Sequence, residues 1–275
     1  MHGKRIRLSP PRRLITDIMR LAASVPSVPV ERLMDLGAVI AARRDLSNRP
    51  PWVGIFAKAM ALTAQELPEL RRTFLKWPWP HLYEYEDSVA AITIDREYQG
   101  EPCVAIRIIK DIASLPLTVI AGMIHESKEL PIEQLSDFKR TMTICRLPGI
   151  IRRPAIWLAY NLPRQRANYF GTFSVTAVSF LGADALHLPN PTTSLLTFGV
   201  FRADGRVPVR ITMDHRVFDG MGIAKIMARL EAVLNGPILQ ELRSRATAAG
   251  HAGRSDSRDE SDACVTSSSG TPGAS

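Results

Sequence analysis

Cysteine is nearly absent from this chain: Cys103, Cys145 and Cys264 are widely spaced and odd in number. That excludes a disulfide framework and any Cys-rich zinc spacing, and it sets a reducing cytoplasm as the expected compartment. The six histidines contain no His-Glu-x-x-His pattern, so no metal site of that kind is expected. Neither common Gly-rich phosphate loop is present. The longest apolar run, Ile112 to Ile124, contains Pro116 and is too short to cross a bilayer. The basic start, Met1 to Arg13, lacks the apolar core of a signal peptide. These absences lead to the expectation of a cytoplasmic protein without a membrane span.

Acidic residues are missing altogether between Lys139 and Phe170, where Lys139, Arg140, Arg146, Arg152, Arg153, Arg164 and Arg166 lie. The chain as a whole carries a formal charge of +8, and this segment accounts for most of it. Two readings stay open: a solvated face, or a dock for an anionic partner. No helix-turn-helix, zinc finger or aromatic-basic platform accompanies the charge, so nucleic acid is not an expected partner. A membrane-surface role is disfavoured at this stage, because apolar and basic residues of the segment form no single clean face in the sequence.

What is present is a chain of 275 residues, 45% of them hydrophobic, enough for one sizeable core. Apolar spacing predicts a helix over Arg12–Ser24, a second around Leu33, Leu36, Val39 and Ile40, and a third over Val53–Leu67. Pro26 and Pro29 impose an extended segment between the first two. Val89–Asp95 and Val104–Ile109 read as strands, with Gln99-Gly100 in the turn between them. Leu117–Leu130 reads as a helix, and the prolines at 148, 154 and 163 split the basic segment into short helices. Gly171–Ser179, Ser194–Phe201 and Val207–Asp214 read as strands, with Asp204-Gly205 marking an antiparallel hairpin. A closing helix carries Ile223, Ile226, Met227, Leu230 and Val233, stopped by Gly236-Pro237. The class expected is α+β, a mixed α/β sandwich. From Ser244 onward little can be buried, and residues 244–275 are expected to be a disordered tail.

The richest segment is Thr212-Met213-Asp214-His215-Arg216-Val217-Phe218-Asp219-Gly220. It places a histidine at the end of a strand and an Asp-Gly step at the mouth of a helix. A neutral imidazole held there can act as a general base near neutral pH. Standing alone, His-x-x-x-Asp-Gly is equally a capped helix entry, with Asp219 as its N-cap.

The motif resembles the active-site segment of the dihydrolipoyl acyltransferase cores of 2-oxoacid dehydrogenase complexes, a superfamily that includes chloramphenicol acetyltransferase. Arg12-Arg13-Leu14-Ile15-Thr16-Asp17-Ile18-Met19 resembles the opening helix of that family. Phe56-Ala57-Lys58-Ala59-Met60-Ala61-Leu62 and Glu66-Leu67-Pro68-Glu69-Leu70 resemble the helix under its sheet. Gly171-Thr172-Phe173-Ser174-Val175-Thr176 resembles the strand bearing a catalytic hydroxyl, and Pro189-Asn190-Pro191 the turn beyond it.

The resemblance implies a chloramphenicol acetyltransferase-like fold over 12–243, after a basic arm at 1–11 and with 139–170 as an inserted segment. It implies His215 as general base, Thr176 as oxyanion donor (with Ser174 and Ser179 close by), and Asp219 as a structural residue paired with an arginine, for which Arg12 is the match. It also implies coenzyme A as a substrate; the basic segment is expected to border the active site and meet its phosphates or an acidic carrier protein, with Arg152 and Arg153 as candidate contacts because arginine forks suit phosphate. The acceptor is expected to be a dihydrolipoamide-type thiol or another small molecule, and any lipoyl group or acyl carrier protein comes in trans. A homotrimer is implied, because the family builds each active site from two subunits. The alternative is a non-catalytic trimeric scaffold or regulatory subunit that keeps the fold.

Overall fold

The computed structural model describes residues 3–177 and 185–247. Its frame is a six-stranded mixed sheet in the order β1-β8-β7-β6-β4-β5. The strands are β1 (Ser27–Asp35), β4 (Val89–Tyr98), β5 (Glu101–Lys110), β6 (Phe173–Ala177), β7 (Ser194–Phe198) and β8 (Arg206–Asp214). A separate two-stranded sheet pairs β2 (Arg72–Leu75) with β3 (His81–Glu84). β6 runs parallel to both neighbours, β4 and β7, and the other pairs are antiparallel. The expected α+β class is therefore what forms.

Period-2 side chains sort the sheet into two faces. Ala90, Ile92 and Ile94 of β4, Val175 of β6, Leu196 of β7 and Ile211 of β8 join the main core. Helices α3 (Trp52–Glu66), α4 (Leu117–Glu129) and α8 (Gly220–Val233) supply the rest of that core through Phe56, Met60, Ile120, Ile124, Ile226 and Leu230. The alternate residues of β4, β6 and β7 face a cavity closed by α1 (Pro10–Ala22). Two short helices, α2 (Gly37–Arg44) and the segment 239–247, complete the main-core side.

Two turns follow from backbone chemistry. Gln99 and Gly100, with φ of 54° and 77°, form the two-residue turn between Tyr98 and Glu101. Positive φ at both central residues matches the strand twist of a hairpin. Gly171 has φ of 77°, and a Cβ there would lie 2.8 Å from the Val89 carbonyl oxygen. Only glycine lets the chain enter β6 that close to β4.

The basic segment folds as α5 (Ser136–Arg146), α6 (Gly149–Asn161) and α7 (Pro163–Phe170). Pro148 and Pro163 separate these helices, but α6 runs straight through Pro154. Pro154 is exposed, so water can satisfy the carbonyl whose helical partner it removes. Three other expectations need correction. Leu33 lies in β1, not in a helix; the extended segment expected at Pro26 and Pro29 does form, as the start of that paired strand. Gly236-Pro237 does not stop the closing helix. A π-helical turn at Leu234–Ile238 takes up the missing amide of Pro237, and the helix continues to 247. Residues 244–247 of the expected tail are thus helical, and Ser179 and the remainder of the tail lie outside the described residues.

Candidate active site

β8 ends on Asp214, whose carboxylate is buried. Arg216 folds back onto it, with Nε 2.9 Å from Oδ1 and Nη2 2.7 Å from Oδ2. The Arg216 backbone amide also donates to Oδ1 at 3.0 Å. The amides of Val217 and Phe218 donate to the Asp214 carbonyl, at 3.0 and 3.2 Å, and close the turn. On the outer side the Arg216 guanidinium sits over the Phe74 ring, 4.4 Å from its centroid. The His215 amide donates to the Pro26 carbonyl at 2.9 Å, tying this turn to the start of β1. His215 is therefore fixed by its backbone while its side chain is exposed.

Asp219 caps α8: its Oδ1 accepts from the Gly222 amide at 2.6 Å. A side-chain oxygen there satisfies one of the amides a helix start leaves open. The expected ion pair between Asp219 and Arg12 is not formed. Arg12 instead reaches Glu101, with Nε 3.4 Å from Oε1, because α1 packs near the β4–β5 hairpin.

Thr176 stands on the opposite face of the sheet from the main core. It lines a cavity of about 500 Å³ between the sheet and α1. Leu14, Ile15, Ile18 and Met19 of α1 form one wall, and Val104, Ile106 and Leu195 form part of the floor. Thr93 of β4 lies beside Thr176, with the two hydroxyl oxygens 2.5 Å apart and Thr93 donating. Thr176 then keeps its own hydrogen to donate elsewhere. Asp95, two residues further along the same face, places a carboxylate in the cavity wall.

The Pro189-Asn190-Pro191 turn borders the cavity and is held from behind. Arg166 is 2% exposed, with Nη2 3.0 Å from the Pro191 carbonyl and Nη1 3.1 Å from the Phe74 carbonyl. Tyr160 donates to the same Pro191 carbonyl at 2.8 Å. Burial pushes the Tyr160 phenol up, against the opposing pull of Arg166, so it remains a donor at neutral pH. Next to this turn, Ser174 and Thr192 share a hydrogen bond of 3.1 Å, and Thr192 donates to the Ser194 carbonyl at 2.9 Å.

The basic segment thus has two kinds of arginine. Arg166 and Arg152 are buried and structural. Arg152, 7% exposed, is 2.7 Å from Asp17 and also donates to the Leu147 carbonyl at 3.0 Å. This corrects its candidacy as a phosphate contact, since its donors are already engaged inside the protein. Arg153 is half-exposed and shares Asp17 at 3.5 Å. Sequence reasoning had no route to Thr93, Tyr160 or Arg166, because their roles arise from contacts distant in the chain.

His215 and Thr176 do not meet within one chain. Thr176 is level with Thr197 and then Arg210 across β6, β7 and β8. His215 lies five residues beyond Arg210, about 16 Å along the strand at about 3.3 Å per residue. It is also two strands to the side, and it is not among the residues lining the Thr176 cavity.

No family model matches the chain, and no curated protein matches it. Solved structures do. A probable dihydrolipoamide acetyltransferase from Listeria monocytogenes 4b F2365 aligns with a TM-score of 0.61 at 18% identity, covering 85% of this chain and 94% of the other. The dihydrolipoamide acetyltransferase of Azotobacter vinelandii gives 0.63 at 16% identity, covering 88% and 94%. The catalytic core of a 2-oxoacid dehydrogenase multienzyme complex from Thermoplasma acidophilum gives 0.59 at 16%, covering 86% and 99%. Identities this low establish the fold and no more: this chain has the acyltransferase-core fold over most of its length.

Proposed function

We propose that the protein is a coenzyme A-dependent acyltransferase. It moves an acyl group between coenzyme A and a small acceptor, a dihydrolipoamide-type thiol supplied in trans being the first candidate. The observation that carries this reading is the pairing of two half-sites on one acyltransferase-core fold. One is an exposed imidazole on a rigid turn; the other is a hydroxyl in an apolar cavity large enough for a small acyl chain. His215 of one subunit and Thr176 of the next form one centre in a homotrimer.

In this centre the imidazole of His215 takes the proton from the attacking thiol. The thiolate forms a bond to the carbonyl carbon of the acyl thioester, and the carbonyl π pair moves onto oxygen. The Thr176 hydroxyl donates to that oxyanion. Such a donor lowers the barrier by roughly 2.7–4 kcal/mol in comparable sites. The tetrahedral intermediate collapses, the carbon–sulfur bond to the leaving thiolate breaks, and the imidazolium returns its proton to that thiolate. The Thr93 donor fixes the rotamer of Thr176, which supports this role. Asp219 holds the loop through the helix cap.

The test is formation of coenzyme A together with S-acyl-dihydrolipoamide, separated by chromatography, from a panel of acyl-CoA donors with dihydrolipoamide as acceptor, comparing wild type with His215→Ala. Donor-dependent formation of the S-acyl product that His215→Ala abolishes supports the transfer. A wild-type protein silent on every donor, but trimeric, would favour a scaffold that only keeps the fold.

A further inference from the structure

Helix α6 has a second face that the sequence pattern hid. At 100° per residue, Ile150, Ile151, Pro154, Ala155, Trp157 and Leu158 fall within one arc of about 160°. All six are exposed, Ile150 at 84% and Trp157 at 48%. The other edge of the helix turns Arg152, Ile156 and Tyr160 into the protein. Side chains of the outer arc offer no hydrogen-bonding group apart from the indole N–H of Trp157.

Cations border this arc. Arg153, 57% exposed along its side chain, sits beside it on the same helix. Arg146 at the end of α5 and Arg164 at the start of α7 are exposed on either side of α6 in the chain. No acidic residue lies in 139–170, and Asp17 of α1, which pairs with Arg152 and Arg153, is itself buried. An apolar helix face with an aromatic at its edge and a cationic border matches the physics of an interfacial helix. Such a helix gains from apolar burial and from attraction to anionic headgroups together.

We propose that the outer face of α6 docks on an anionic lipid bilayer surface. Charge complementarity selects this occupant: the exposed charges that flank the arc, Arg146, Arg153 and Arg164, are all cationic. The arc is also convex and without polar specificity, which a fluid bilayer meets without a shaped counterpart. Docking is peripheral, since among the described residues no helix is long and apolar enough to cross a membrane. The sequence-level objection that the segment lacks a clean face is removed by the helix geometry. α6 packs on α1, the helix that walls the Thr176 cavity, so docking would bring that cavity close to the lipid. The inference does not depend on the acyl-transfer reading.

The experiment is co-sedimentation of the full chain with vesicles of phosphatidylcholine alone and of phosphatidylcholine with phosphatidylglycerol, at low and high salt. Partition onto the anionic vesicles is expected to exceed that onto neutral ones by at least tenfold, and to fall with salt. Ile150→Glu with Leu158→Glu should lower it about tenfold or more, with unchanged circular dichroism and unchanged mass by light scattering. Arg146→Glu should lower it by a smaller factor. Wild-type protein left in the supernatant with anionic vesicles overturns the proposal. So does binding that Ile150→Glu with Leu158→Glu leaves intact, which would be charge adsorption without the helix face. A fall in oligomer mass in that variant also overturns it, because the face would then lie between copies of this chain. Retention by an acidic protein but by no vesicle would assign the face to a protein partner instead.

Discussion

A single imidazole on a turn is a weak catalyst unless its backbone cannot move, and here six hydrogen bonds hold it. The Pro26 carbonyl takes the His215 amide, and Asp214 gathers Arg216 and two following amides around it. His215→Ala leaves those bonds untouched, so it removes the base without loosening the turn. Turnover should fall about a hundredfold or more, the scale of general-base loss, with thermal stability unchanged. Steady-state formation of coenzyme A, read by chromatography, alongside a melting curve checks both halves, and full turnover in the variant would remove His215 from the chemistry. Thr176→Val keeps the shape of the side chain and deletes only the donor. The drop should appear in kcat and leave KM nearly constant, because an oxyanion exists only near the transition state. If KM alone rises, Thr176 binds substrate and does nothing more. Thr93→Val is expected to lower kcat by a smaller factor and Thr93→Ser to restore it, since serine keeps the donor to Thr176.

The elements show why some residues belong to stability and not to chemistry. Arg152 joins α6 to α1 through Asp17, both nearly buried. Removing one partner of such a pair costs about 3 kcal/mol, at the low end of the usual range because Arg153 and Arg20 remain near Asp17. Arg152→Met should shift the urea midpoint accordingly and leave KM for acyl-CoA unchanged. A raised KM with unchanged stability would return it to the substrate. Asp219→Ala removes the α8 cap, so about 1 kcal/mol of stability and part of the activity should be lost together. Native stability with no activity would instead mark a direct role. Long helices such as α3 and α4 are legible because their apolar residues recur over several turns. β1 was not, because Pro29 argues against a strand, yet β1 is at the sheet edge where a missing amide is tolerated. The His215 turn was readable as a local motif. The clamp of Tyr160 and Arg166 on Pro191 was not, because nothing local specifies a contact about thirty residues away.

At the scale of the whole molecule, the separation of His215 from Thr176 is the fact with the largest consequence. About 16 Å along β8 and two strands across cannot be closed by side-chain rotation. If the two residues act on one thioester, the second must come from another copy of the chain. Further assembly through apolar C-terminal contacts is a different matter. Of the C-terminal apolar residues Pro237, Ile238, Leu239 and Leu242, the last three are buried in the chain's own core. They are spent internally and cannot join one trimer to another without opening that core. We therefore expect a homotrimer that grows no larger. Light scattering in dilute solution should give about 91 kDa, three times the chain mass of 30.4 kDa. A monomer that still transfers acyl groups would show that the two half-sites act without sharing a centre. A particle of twenty-four chains would show that surfaces other than Ile238 and Leu239 carry the higher assembly. Mixing His215→Ala with Thr176→Val protein then separates the cases, since only a shared centre can regain activity by pairing an intact histidine with an intact threonine across an interface.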